Sequence, residues 1–293
     1  MSSGRLFFLD PHGGRVLSST PEGGDLKVLL DGKKATPDGI TIDAARGHIY
    51  WTNMGRDWKA NTGSIERADL DGGHPTVIVA PGGTFTPKQI VLDEKREWLY
   101  WCEREGMRVM RAHLDGSHIE TLVRTGEGEG DRKDQRNWCV GIAVDADRGQ
   151  IYWTQKGPPK GGQGRIFRAN IQVPKGQSAE RRTDIESLFE GLPEPIDLEI
   201  DRANRLLCWT DRGAPPHGNT VNRAPLDDRG GPRAAPEILL DGLREAIGLA
   251  LDFAGRRMFV TDLSGSLYTA TLDGADKRTV LEGQGHLTGI AFV

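Results

Sequence analysis

Short apolar segments separated by polar turns recur in one fixed order along the chain. The plainest of these segments carries an aromatic residue near its middle. Its copies are "LFFLD" (6–10), "IYWTN" (49–53), "LYWCE" (99–103), "IYWTQ" (151–155), "LCWTD" (207–211) and "MFVTD" (258–262). Successive copies end 43, 50, 52, 56 and 51 residues apart, so six copies of one unit fill the chain.

Each unit predicts four short β-strands, which we call A to D. Strand A is apolar, as in "GIAVD" (141–145), and a tight polar turn joins it to the aromatic strand B. Strand C follows, and a turn that is often Leu-Asp-Gly leads to strand D. Four strands in about 45 to 50 residues are typical of a β-propeller blade. The sequence therefore predicts an all-β fold, with one six-bladed β-propeller domain over residues 1–293 and four antiparallel strands in each blade.

The two ends of the sequence complement each other. The chain opens on a B strand and stops on an A strand, "LTGIAFV" (287–293), so the first unit lacks its own innermost strand. We expect residues 287–293 to join the N-terminal blade and close the ring.

The repeats resemble the YWTD repeats of the low-density-lipoprotein receptor family, in the form "IYWTN…GSIERADLDGG" and "GQIYWTQ…GRIFRANI". The resemblance covers essentially the whole chain and implies a six-bladed propeller. It also implies one possible function, a module that binds a partner protein. The chain departs from the receptors because it has no flanking cysteine-rich modules and no secretory signal.

Composition and charge indicate the cellular location and the classes of partner to expect. The formal charge is -4, from 38 basic and 42 acidic residues, which favours neither nucleic acid nor a membrane as partner. The three cysteines form no CxxC pair, no apolar run is long enough to cross a bilayer, and the start lacks a signal-peptide core. We expect a soluble protein of the cytoplasm.

The A strand "PIDLEID" (195–201) departs from its sister strands. Asp201 shares its place with four other aspartates, so we assign it to the turn that follows. The place of Asp197 is occupied elsewhere by four glycines and Gln89, and that of Glu199 by small or apolar residues. A strands crowd around a propeller's axis, and residues two apart share a face. Asp197 and Glu199 should therefore lie at the central channel, with Asp197 closer to its mouth.

The same topology predicts which residues share that mouth, because A strands begin where B strands end. The residues expected to contact a ligand are Asp38, Lys88, Gln89, Trp138, Glu194, Glu245 and His286 before the A strands, and Asn53, Trp58, Glu103, Gln155 and Asp211 at and after the B ends. Tryptophans beside carboxylates suit an organic ligand, a cation or a protein partner.

The predicted site residues are consistent with two functions. The first is a small-molecule enzyme or binder of hydrolase, lactonase, isomerase or cyclase type, with Asp197 and Glu199 as catalytic acid and base or as ligands of a divalent cation such as Ca²⁺ or Mg²⁺. Gluconolactonase and paraoxonase propellers are similar in architecture, although none of their motifs is matched. The second is a protein-interaction module on the same face. The two acids could also merely fill a hydrated channel or pair with Lys88.

One further residue and one further segment are weaker candidates for a functional site. Cys139 lies near the mouth, where His12 or His286 could act as its base, but we favour the interpretation of a small apolar cysteine packed within the sheet. The glycine-rich run "GEGEGDRKD" (126–134) carries acids where a phosphate would need bare amides, so we expect a solvated loop.

Overall fold

Six four-stranded antiparallel sheets are arranged as the blades of a β-propeller, which confirms the predicted fold. The computed structural model describes residues 4–226 and 234–293. Within those residues, no helix is long and apolar enough to cross a bilayer.

The first three blades occupy the N-terminal part of the chain. Their strands are β1 (Leu6–Asp10), β2 (Arg15–Ser19) and β3 (Lys27–Leu30) in blade 1, β4 (Pro37–Asp43), β5 (His48–Asn53), β6 (Gly63–Asp69) and β7 (Thr76–Thr84) in blade 2, and β8 (Pro87–Asp93), β9 (Trp98–Glu103), β10 (Arg108–His113) and β11 (Glu120–Arg124) in blade 3.

A short helix, α1 (Gly128–Arg132), and a 3₁₀ turn (Gln135–Asn137) lead into blade 4, so the segment expected to be wholly a loop contains one helical turn. The remaining strands are β12 (Cys139–Asp145), β13 (Gln150–Gln155), β14 (Gly164–Asn170) and β15 (Glu186–Leu192) in blade 4, β16 (Pro195–Asp201), β17 (Leu206–Asp211), β18 (Thr220–Pro225) and β19 (Glu237–Leu240) in blade 5, and β20 (Ala246–Asp252), β21 (Arg257–Asp262), β22 (Leu267–Thr271) and β23 (Arg278–Leu281) in blade 6, with β24 (Ile290–Phe292) last.

The final strand closes the ring. β24 pairs antiparallel with β1, and Leu6 lies opposite Phe292 while Phe8 lies opposite Ile290. The innermost strand of blade 1 therefore comes from the end of the chain, as predicted.

The core lies between neighbouring blades. Trp51, Trp101, Trp153 and Trp209 are fully buried, which confirms that this column is structural. Trp51 of blade 2, for example, belongs to one apolar cluster with Phe7 and Leu9 of blade 1. Burying such large side chains removes extensive apolar surface from water and holds adjacent blades together.

In four of the six blades, a threonine near the end of strand B links the innermost strand to that of the next blade, whereas blades 1 and 3 have Leu9 and Cys102 at this position. In blade 5 the Thr210 hydroxyl accepts from the amide of Asp197 at 3.0 Å and donates to the carbonyl of Ile247 in blade 6 at 2.6 Å. The other hydroxyls that donate to the next blade are those of Thr52 to Lys88, Thr154 to Ile196 and Thr261 to Thr288. The threonine of the repeat is thus a hydrogen-bond bridge around the axis.

Close approach of the same strands explains the glycines of strand A. A Cβ placed on Gly141 would lie 1.9 Å from the carbonyl oxygen of Ile196 in blade 5. At Gly248 the corresponding distance to the carbonyl oxygen of Thr288 is 2.4 Å. Both distances are far inside van der Waals contact, so a side chain at these positions would push the innermost strands apart.

We expect Thr210→Val to destabilise the protein by about 1–3 kcal/mol, because the buried amide of Asp197 and carbonyl of Ile247 would each lose a partner. Thr210→Ser keeps the hydroxyl and should retain most of the stability. Urea unfolding of both variants measures the difference. Equal midpoints for the valine and serine variants would contradict the bridging role.

Deleting residues 286–293 should abolish the cooperative unfolding transition. The deletion removes β24, leaves one edge of β1 unpaired and uncovers Leu6 and Phe8, which are fully buried in the intact chain. Thermal unfolding followed by circular dichroism tests this expectation. A truncated protein that melts as the intact chain does would contradict closure of the ring by β24.

Candidate functional site

The axis of the propeller is closed at the face where the innermost strands begin, which we call the upper face. Residues at equivalent repeat positions surround the axis there: Thr288, which precedes β24, and the second residues of the other innermost strands, Asp38, Lys88, Val140, Ile196 and Ile247. Val140, Ile196 and Ile247 form an apolar cluster against Leu263. Lys88 forms an ion pair with Asp38. These side chains make a plug, so the channel is not open at this face.

Asp197 lies below the plug and binds backbone amides. Its Oδ1 accepts from the amide of Leu198 at 3.0 Å, and its Oδ2 accepts from the amide of Leu249 in blade 6 at 2.9 Å. The ladder register shifts between Pro195 and Leu198, a β-bulge that leaves amides outside the regular pairing. Burial, and then repulsion by Glu199, raises the pKa of Asp197 well above its ordinary range. Asp197 therefore ties blade 5 to blade 6.

Glu199 faces a central cavity of about 220 Å³ that is lined by innermost strands of all six blades. Burial raises the pKa of Glu199 to about 7, against smaller opposing effects of Arg202 and the amide of Ile200. Among the described residues, no lysine, arginine or histidine forms an ion pair with Glu199. Unlike Asp197, Glu199 does not tie its blade to a neighbouring one, and the backbone group acting on it is the amide of the adjacent Ile200.

The cavity reaches the surface at the lower face, opposite the plug. Arg202 and Phe253, which follow strands β16 and β20, are exposed and line it. Both acids lie at the channel as expected, yet a ligand on the upper face would be separated from them by the plug.

The predicted ligand contacts at the ends of the B strands are buried and hold loops. Asp211 accepts from the amides of Glu194 at 3.0 Å and Gly213 at 2.8 Å, and burial raises its pKa to about 7. Glu103 accepts from the Thr84 hydroxyl at 2.6 Å and pairs with Arg108. The remaining two, Asn53 and Gln155, are also buried, and the Asn53 amide donates to Glu66 and Ser64.

The residue after strand B is basic in three of the six blades, where Lys156 is buried and the Arg104 and Arg212 side chains are partly exposed. Arg104, Lys156 and Arg212 hold this place in three consecutive blades, where the other blades have Pro11, Met54 and Leu263. A column comparison that extended one residue beyond strand B would have found them. These residues are basic, whereas the site residues predicted from the repeat comparison were mainly acidic.

Predicted site acids neutralise part of this positive charge. The Glu194 carboxylate is fully buried and lies 2.9 Å from Lys156 Nζ and 3.1 Å from Arg212 Nε. Glu245 lies 3.5 Å from Arg212. Arg104 pairs with its neighbour Glu105 at 2.6 Å. The pKa of Lys156 is lowered, chiefly by burial and also by the charges of Arg212 and Arg104, so the cations are close enough to repel one another.

Two tryptophans flank Arg104. Its guanidinium lies 4.8 Å from the ring centroid of Trp58 and 5.1 Å from that of Trp138. Trp58 is 45% exposed, and Trp138 is partly buried. We call Arg104, Lys156, Arg212, Trp58 and Trp138 the cationic mouth. Rings stacked on cations at a surface are typical of a binding site.

The remaining candidates lie elsewhere or are enclosed. His286 is exposed and contacts His12, with ring centroids 4.1 Å apart. Cys139 is fully buried, burial raises its pKa to about 12, and its sulfur contacts Thr125 rather than a histidine. The thiol is thus a packed side chain, not an activated nucleophile. In the part of the chain that the structure describes, no group of three or more His, Cys, Asp or Glu side chains could hold a metal ion.

Fold and repeats together define a six-bladed β-propeller of the YWTD class. The chain is 48% identical to low-density lipoprotein receptor-related protein 1 of Pyricularia oryzae, over 99% of this chain and 98% of that protein. The chain belongs to the family of this receptor-related protein. It is also 41% identical, over 95% of its length, to the 3-hydroxyacyl-CoA dehydrogenase-like protein LAM1 of Cochliobolus heterostrophus, of which it spans 60%. No protein-family model matches.

Solved structures of low sequence identity share the fold. A chain of the nidogen/laminin complex superposes with a TM-score of 0.76 at 22% identity, covering 99% of this chain and 98% of that one. A gluconolactonase of Xanthomonas campestris gives a TM-score of 0.61 at 19% identity, covering 88% and 78%. At these identities the likeness extends to the fold alone.

Glu199→Gln should stabilise the protein above neutral pH and leave it unchanged near pH 4. The folded-state pKa of about 7 exceeds the ordinary 4.5, so ionising Glu199 costs stability progressively between these two values. The advantage of the glutamine variant should grow to about 2–3 kcal/mol at pH 8.

Urea unfolding at several pH values measures this advantage, and Glu190→Gln, an exposed position on β15, is the matched control. An advantage that does not change with pH would show that burial does not raise the pKa of Glu199.

Proposed function

We propose that the protein is a binding module whose cationic mouth docks an acidic segment of a partner protein. The observation that carries the proposal is the set of three sister cations, Arg104, Lys156 and Arg212, beside two accessible tryptophans. Arginine and tryptophan are enriched among the residues that contribute most to protein–protein affinity.

The three cations come from three consecutive blades, and Trp58 and Trp138 lie beside Arg104. A peptide segment, which carries both acidic and apolar side chains, suits this combination of cations and rings. The cations already pair with Glu105, Glu194 and Glu245, and carboxylates of a partner would share them. Such electrostatic complementarity adds specificity and speeds association.

Closure of the axis also favours binding over catalysis at this face. A substrate at the cationic mouth would be separated from Asp197 and Glu199 by Val140, Ile196 and Ile247. Asp197 is further committed to two backbone amides. The names of the receptor-related relative and of the nidogen/laminin complex, two proteins bound to each other, agree with a binding role.

Selection of a random peptide display library against the purified protein tests the proposal. We expect the enriched peptides to carry aspartate or glutamate and to bind more weakly as salt rises. Their affinity, measured by fluorescence anisotropy, should fall at least about tenfold in Arg104→Met and Arg212→Met.

Arg181→Met is the control for charge alone, because Arg181 is an exposed arginine of the loop between β14 and β15. Enriched peptides without acidic residues, or equal losses in all three variants, would contradict docking at the cationic mouth.

A further inference from the structure

The central cavity is chemically distinct from the cationic mouth and opens on the other face. The plug residues Val140, Ile196 and Ile247 do not line it, whereas the lower halves of the innermost strands do. Its volume of about 220 Å³ would hold several water molecules or one small organic molecule.

Two polar side chains in this cavity are only partly satisfied by the described residues. Glu199 interacts with the backbone amide of Ile200 but has no ion-pair partner, whereas both oxygens of Asp197 accept hydrogen bonds. Gln89 is only 4% exposed, lines the cavity, and its Nε2 has no hydrogen-bond partner. Its sister positions in blades 2, 4, 6 and 1 are glycines. A buried amide group without a hydrogen-bond partner destabilises the fold unless a ligand or a water molecule accepts its hydrogen bond.

Apart from Arg202 at the rim, the remaining side chains of the lining are apolar or small. Ile42, Val144 and Leu251 contribute aliphatic walls, and Ala143 and Ala291 leave room beside Glu199. A hydrated divalent cation fits such walls poorly, because it needs several oxygen ligands and only one carboxylate is free. An ammonium group on a short aliphatic body matches both the acid and the walls.

We propose that the central cavity binds a compact primary ammonium compound, with the ammonium group against Glu199 and the aliphatic body along the walls toward the lower face. The charged groups around this position are Asp197, buried above Glu199, and Arg202, exposed at the rim. Arg202 is held by the carbonyl of Val144 at 2.9 Å, so its guanidinium stays at the rim and leaves the inner carboxylate to the ligand.

Titration calorimetry with n-butylammonium chloride at pH 8 and fixed ionic strength tests the proposal. We expect one binding site per chain and affinity for 1-butanol, the neutral isostere, at least about tenfold weaker, because it lacks the charge that pairs with Glu199. Absence of binding heat together with absence of a thermal shift would overturn the proposal and leave a hydrated channel. Equal binding of the alcohol would overturn it as well.

Three variants locate the site. Glu199→Gln removes the charge, and Ala291→Leu fills the cavity; each should weaken n-butylammonium binding at least about tenfold. Glu190→Gln should bind like the unaltered protein. If Ala291→Leu fails to fold, Thr41→Leu fills the cavity from blade 2 at the sister position. Retention of binding in the folded Glu199→Gln variant would overturn the proposal.

The same titration separates this site from the proposed docking face. Arg104→Met and Arg212→Met should bind n-butylammonium like the unaltered protein, since the plug lies between them and the cavity. A change of amine affinity in either variant would show that binding depends on the cationic mouth and overturn the assignment to the cavity, whatever the result of the peptide selection.

Discussion

The threonine bridge around the axis is the interaction on which the other features depend. Each bridge joins the B strand of one blade to the A strand of the next through a single hydroxyl, as Thr210 does between Asp197 and Ile247. A hydroxyl both donates and accepts, so it satisfies two buried backbone groups that belong to different sheets. The bridge requires the innermost strands to approach closely, and close approach in turn requires glycine at Gly141 and Gly248.

Asp197 is an alternative solution to the same constraint. Blade 5 has no glycine at this position, and the carboxylate uses its space to accept the amides of Leu198 and Leu249. The charge is consequently buried for a structural purpose, and its raised pKa results from burial rather than from a catalytic role. Perturbed acids at an axis are therefore not sufficient to identify an active site.

Comparison of the repeats predicted the features that recur. Asp201 accepts from the amide of Asn204 in the turn, Trp51 is buried between blades, and β24 completes blade 1, all as expected. Features that depend on register could not be predicted in this way. The bulge at the start of each complete A strand frees the amides that Asp197 binds, and it aligns Val140, Ile196 and Ile247 into a plug. Trp58 and Trp138 of the cationic mouth were among the predicted ligand contacts, whereas Arg104, Lys156 and Arg212 lie one residue beyond the B strands and were missed.

The plug also explains why the two ends of the axis differ electrostatically. Above it, Lys156 and Arg212 share the buried carboxylate of Glu194, so each charge has a partner. Below it, Glu199 is influenced by the rim residue Arg202 but not by any cation of the mouth. The plug consists of the apolar side chains of Val140, Ile196 and Ile247 together with the ion pair of Lys88 and Asp38, and it separates the cations of the mouth from the acid. The unpaired carboxylate is therefore a consequence of how the ring is sealed, and it gives the lower cavity a chemistry that the upper face cannot share.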